Sequence, residues 1–97
     1  MQYSNTFVQY TKSLSSKKYA SLSIEEERRL FLLYRSGSEE SVDAFQRLVN
    51  SNLRLVIFIL KRDFLLPDDV DIMDAVQEGN LGLIEGIKRF NSDEYSC

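Results

Sequence analysis

Asp68, Asp69 and Asp71 crowd three carboxylates into one short stretch just after Pro67. Such a cluster could ligate a divalent cation, but the glycine and the distal glutamate of a calcium loop are both missing. Capping of a following helix, with the acids at its positive end, accounts for the cluster without a metal. Glu78 could act as a general acid or base. The chain, however, holds no histidine and one cysteine, Cys97. No nucleophile–base pair, phosphate-binding loop or metal-ligand set is visible, so neither catalysis nor a cofactor is expected.

What the acidic half can do is bind another surface. Residues from about Val70 to Phe90 follow a helical period, and placing them at 100° steps separates three faces. Val76, Leu83, Ile87 and Phe90 make an apolar face for a core. Asp74, Gln77, Glu78, Leu81, Glu85 and Lys88 make a polar face, with Met73, Asn80 and Ile84 on its border. Leu81 beside Met73 and Ile84, ringed by acids and amides, has the form of an interface: an apolar centre within a polar rim. The plain alternative is a solvated face carrying one exposed leucine.

The third stripe is Ala75, Gly79, Gly82 and Gly86. A glycine inside a helix costs about 0.8–1 kcal/mol relative to alanine. Three of them predict that a bulky neighbour comes close, and the expected neighbour is the surface Leu53–Leu60 of the preceding helix.

The elements that must position this face also read as helices. Thr6–Leu14 is a weak first helix with Phe7, Tyr10 and Leu14 at helical spacing, and Ser15–Ser21 is a polar linker with little structure of its own. Ser23 and Glu26 match a capping box, and Gly37 is placed to end that helix in a left-handed conformation. Ile24, Leu30, Phe31 and Tyr34 give it an apolar side. Ser38 can cap a long helix from about Glu39 to Arg62, with Val42, Phe45, Leu48, Val49, Leu53 and Val56 on its core side. Leu53–Leu60 is apolar nearly all round, which predicts burial on several sides and a central place in the bundle. Asp63–Val70 is a connector broken by Pro67, with Asp68 or Asp69 as the cap of the last helix. The expected fold is all-α, a small helical bundle centred on an antiparallel helical hairpin. It forms one domain over 1–97, with a weak N-terminal helix and linker in 1–22 and the binding helices in 23–97.

Charge divides the chain. Through Arg62 there are ten Lys/Arg against six Asp/Glu, and from Asp63 onward two against nine. An acidic second half repels phosphate and suits a basic protein partner. Hydrophobic residues make up 43% and charged residues 28%, too apolar for a disordered chain. No signal peptide is evident at Met1, and the apolar run Leu55–Leu60 meets Lys61 and Arg62 at once. A cytoplasmic protein with no membrane association is expected.

Asn52-Leu53-Arg54-Leu55-Val56, then Lys61-Arg62, then Asp74-Ala75-Val76-Gln77-Glu78-Gly79-Asn80-Leu81-Gly82-Leu83, resembles the sigma-70 family of bacterial transcription initiation factors. Lys88-Arg89-Phe90, Leu22-Ser23 with Glu25-Glu26-Glu27, and Phe45-Gln46-Arg47-Leu48-Val49 also fit. The resemblance spans about residues 5–90. It implies a hairpin that binds the coiled coil of the RNA polymerase β′ subunit through Leu53, Val56, Met73, Asp74, Gln77, Glu78, Asn80 and Ile84. Leu81 joins that set from the wheel. It also implies that Tyr10, Asn52 and Arg54 lie near promoter DNA, although Asn52 equally reads as a helix-packing amide.

The pattern departs from the family in three places. The connector from Asp63 to Ile72 is about two residues longer, with Asp63 or Phe64 where an aromatic is common. The first segment lacks some usual residues. The sequence stops at Tyr95-Ser96-Cys97, ahead of the segments that stack on single-stranded bases. A fragment is therefore expected. Promoter DNA would be a partner only of the full-length protein in holoenzyme, and an anti-sigma factor is a further candidate partner. The alternatives are a stand-alone sigma mimic competing for polymerase and a helical adaptor unrelated to transcription.

Overall fold

Capping chemistry fixes where the helices begin. The computed structural model describes residues 4–62 and 71–90, which form α1 (Asn5–Ser13), α2 (Ile24–Ser36), α3 (Ser41–Arg62) and α4 (Ile72–Phe90), with a 3-10 turn at Lys17–Tyr19. Ser4 caps α1 by accepting from the Phe7 amide at 3.1 Å. The capping box of α2 is complete. Ser23 Oγ accepts from the Glu26 amide at 3.1 Å, and Glu26 Oε1 accepts from the Ser23 amide at 3.3 Å and hydroxyl at 3.0 Å. Gly37 ends α2 at φ 68°, a left-handed conformation that glycine adopts without steric cost. Ser38 Oγ accepts from the Glu40 amide at 3.3 Å, and α3 begins at Ser41. Asp68 and Asp69 lie outside the described residues. Asp71 caps α4, its Oδ1 accepting from the Met73 amide at 2.9 Å.

The bonds from Ser23, its backbone N–H first and its hydroxyl second, hold the Glu26 carboxyl below its ordinary value. A lowered folded pKa contributes stability above the unfolded carboxylate value and loses it as pH falls through the folded one. Glu26→Gln is therefore expected to remove one component of the acid-side loss of helix. Helicity followed by circular dichroism from about pH 6 down to about pH 2 checks this. An acid limb identical to that of the parent chain would contradict it.

Two apolar clusters hold the helices together, and α3 belongs to both. The first joins Leu30 and Phe31 of α2 to Ala44, Leu48 and Val49 of α3 and Ile87 of α4. The second joins Phe7 of α1 and Leu14 to Ile57 of α3 and Ile72 and Val76 of α4. Leu53 packs against both. The early half of α3 thus meets the late half of α4, and the late half meets the early half. That pairing makes the two helices an antiparallel hairpin. α2 closes one end of it and α1 the other. Phe7, Leu48 and Val76 are the most fully buried large side chains. Each such burial contributes about 1.5–3 kcal/mol.

Several sequence expectations are corrected. Residues 15–21 carry a short 3-10 turn at Lys17–Tyr19 that the sequence pattern did not show. The 3-10 turn lies on α3, where Arg54 Nε and Nη2 donate to the carbonyls of Leu14 and Ser16 at 2.5 and 3.1 Å, and Arg47 Nη1 donates to that of Lys18 at 3.1 Å. The tethering arginines lie 29 to 40 residues away from these carbonyls, so no local pattern shows them. Ile24 and Val42 are exposed at 72% and 73%. Each sits in the first turn of its helix, outside the two clusters.

α3 is the central helix, packed against α2, the 3-10 turn and α4, but its apolar run 53–60 also carries exposed side chains. Ile57 is buried, but Leu55, Phe58 and Ile59 are exposed. The clusters take up the sides of α3 that face α1, α2 and α4, and these three side chains lie outside both clusters, about half exposed. Arg62 stacks over the Phe58 ring at 5.3 Å, which shields part of it. Phe90 is likewise 45% exposed, its ring 5.4 Å from that of Phe31.

The glycine stripe divides. A Cβ on Gly79 would stand 2.7 Å from Val56 Cγ1, so here α3 does press against the flat side of α4. At Gly82 and Gly86 a Cβ would meet nothing within 4 Å among the described residues. Close packing explains the first glycine and not the other two. Gly86 instead borders an open groove of about 270 Å³ between α2 and the hairpin, lined also by Glu27, Phe31, Asn52 and Leu83.

Candidate protein-docking face

α4 presents Asp74, Gln77, Glu78, Leu81 and Glu85 to solvent. Leu81 is 57% exposed. Its helical neighbours one turn away are Gln77 and Glu78 on one side and Ile84 and Glu85 on the other. Ile84 is half-buried and packs at the edge of the first cluster, and Met73 is half-buried at the edge of the second. The face is therefore a shallow apolar ridge running Met73, Leu81, Ile84, with carboxylates at 74, 78 and 85. It sits on a helix fixed at both ends by core residues, Ile72 and Val76 at one and Ile87 at the other. A rigid support of this kind presents its contacts already ordered, which lowers the entropic cost of binding.

The other residues singled out by sequence stand differently. Leu53 and Val56 are half-buried and turned into the hairpin, Leu53 between the two clusters and Val56 against Gly79. They support α4 from beneath. Asn80 is drawn toward α1, its Nδ2 donating to the Tyr10 hydroxyl at 3.2 Å. Asn52 turns back on its own helix, its Nδ2 donating to the Leu48 carbonyl at 2.8 Å, as a packing amide would. Arg54 uses Nε and Nη2 on the chain leaving α1. So the structure brings Met73, Asp74, Gln77, Glu78, Leu81 and Ile84 together on one side of α4. It sets Leu53 and Val56 below them, and Tyr10 with Asn80 at the border.

Sequence reasoning missed the exposed apolar strip Leu55, Phe58 and Ile59. The signal was present in the unbroken apolar run, whose angular spread exceeds what two neighbouring helices can cover. It missed the Tyr10–Asn80 pairing as well, since a contact across 70 positions leaves no local trace.

Comparison with known proteins bears on this hairpin directly. The family described as Sigma-70 region 2 matches residues 48–96, which take in most of α3 and all of α4. The chain is similar to the RNA polymerase sigma factor SigA of Mycoplasma pneumoniae, with 45% identity over 80 residues, covering 81% of this chain and 15% of that protein. SigA of Mycoplasma genitalium is 45% identical over 71 residues, covering 72% of this chain and 14% of that one. RpoD of Neisseria gonorrhoeae is 32% identical over 80 residues, covering 82% and 12%. The chain thus spans a small part of the length of these relatives. No solved structure matches it. With the all-helical fold, the hairpin and a family match across more than half of its residues, the chain belongs to the sigma-70 family.

Proposed function

We propose that this chain is the polymerase-holding part of a transcription initiation factor, and that it docks on core RNA polymerase through the outer face of α4. The observation that carries the reading is Leu81. A 57% exposed leucine, flanked by half-buried Met73 and Ile84 and ringed by Asp74, Gln77, Glu78 and Glu85, is a small apolar centre with an acidic rim. That combination fits a basic helical surface on the partner, because the apolar centre gains affinity and the carboxylates steer and orient. Within core polymerase the proposed site is the coiled coil of the β′ subunit, the partner of this hairpin in the family. The relatives named above are RNA polymerase sigma factors, which supports the same assignment.

The mechanism is recruitment. Binding fixes the hairpin on the enzyme, and promoter reading belongs to segments outside this hairpin. No chemical step is assigned to any residue. The test is a titration of the chain against the β′ coiled coil. Gln77→Ala combined with Glu78→Lys is expected to weaken binding by about tenfold or more, with helicity unchanged. The loss should deepen if Leu81→Ser is added. Undiminished binding by the double variant would remove this face as the docking site.

A further inference from the structure

Asn80 lies half-buried on the border of the candidate docking face, one helical turn from exposed Gln77 on one side and half-buried Ile84 on the other. A carboxamide in that place carries two N–H donors and an acceptor, enough to orient a partner, but a free one turns about its side-chain bonds. This one is held. Its Nδ2 donates to the Tyr10 hydroxyl at 3.2 Å. Its Oδ1 is shielded from solvent and has no hydrogen-bond partner among the described residues. One N–H of Nδ2 thus serves Tyr10, and the second is the donor left for a partner.

Tyr10 is fixed in its turn. It packs at the edge of the cluster in which Phe7 and Leu14 are buried. The chain just beyond it is tied to α3, where Arg54 Nε and Nη2 donate to the Leu14 and Ser16 carbonyls. A tyrosine has only two side-chain torsions to lose, so it is a stiff support for a softer side chain.

We propose that Tyr10 is a positioning residue for the docking face: its hydroxyl sets the Asn80 amide before core polymerase arrives, so that Asn80 meets the partner already ordered. The inference rests on the docking reading and gives α1 a part in it. Holding a side chain in its bound form removes an ordering cost that association would otherwise carry. Gln77 and Glu78 supply contacts from the exposed face, and Tyr10 readies the one at its border.

The test is a double-mutant cycle read by titration against the β′ coiled coil. Tyr10→Phe keeps the ring and deletes the hydroxyl, whereas Asn80→Ala deletes the amide. Tyr10→Phe is expected to weaken binding about threefold to fivefold, with helicity at the assay temperature unchanged. Asn80→Ala should weaken it at least as much. The double variant should bind within about 1.5-fold of Asn80→Ala, since Tyr10 then has nothing left to position. A residue that only supported the fold would weaken binding equally in both backgrounds. In the free chain, the Asn80 side-chain amide should exchange with water about fivefold more slowly than that of exposed Gln77, and Tyr10→Phe should erase the difference.

Equal exchange of the two amides in the parent chain would overturn the proposal with no polymerase present. Undiminished binding by either single variant would overturn it too, and so would losses that simply add in the double variant. In those cases the docking face still stands if Gln77→Ala with Glu78→Lys weakens binding. If that pair leaves binding undiminished, the docking reading itself fails and the positioning role falls with it.

Discussion

Leu48→Ala is expected to destabilise the fold by about 3–4 kcal/mol, within the range for truncating a leucine that cannot be replaced by local collapse. Leu48 is 0% exposed and lies where α2, the early half of α3 and the late half of α4 meet. Three elements would have to move together to fill the space, so most of the cavity would persist. For a domain of 97 residues the total stability is on the order of 5–15 kcal/mol, so one methyl-rich side chain carries a large share of it. Urea unfolding followed by circular dichroism should show a lower midpoint with an unchanged slope. Leu55→Ala, on the same helix but 51% exposed, is the matched control and should shift stability by no more than about 0.5 kcal/mol. Equal losses from the two substitutions would contradict the assignment of the core.

Gly79→Leu is the second large effect, and its sign runs against helix propensity. Leucine in place of glycine should strengthen an isolated helix by about 0.8 kcal/mol. Here even a Cβ would come within 2.7 Å of Val56 Cγ1, and valine has little rotamer freedom in a helix with which to yield. Forcing the hairpin apart should cost about 2–3 kcal/mol net. Gly82→Ala and Gly86→Ala meet open space and should raise stability, each by up to about 1 kcal/mol. Val56→Ala in the Gly79→Leu background should recover part of the loss, giving a coupling that thermal unfolding of the four-member cycle can read. A stabilised Gly79→Leu variant would mean that the helices do not touch there.

The sequence carried the local devices at both ends of α2. Ser23 with Glu26 and Gly37 at the end of α2 are interactions within a few residues, and each is made as their spacing implies. The hairpin was legible too, because two helical periods separated by a proline leave few ways to pack. What sequence could not convey was how far each helix is covered. Val42 stands one heptad before Val49, yet Val42 is exposed and Val49 is buried. Periodicity gives an angle around the axis, whereas burial depends on how far along that axis a neighbour reaches. The same limit separates Gly79 from Gly86. The candidate docking face was visible as a pattern on α4, and the structure sets Met73, Asp74, Gln77, Glu78, Leu81 and Ile84 on one side of that helix. The place of Asn80 was not visible, because its partner Tyr10 belongs to another helix.

The two-cluster arrangement also sets an order of assembly. The first cluster draws chiefly on α2 and α3, neighbours in sequence joined by a short turn, so most of it can form as soon as both are made. The second needs Phe7 and Leu14 to find Ile72 and Val76, which closes a loop of most of the chain. Loop closure of that length must precede any reward from the contacts it brings. During synthesis α1 leaves the ribosome first and waits longest. Its apolar side has no complete berth until α4 has followed, and the helix made earliest is the last to be seated.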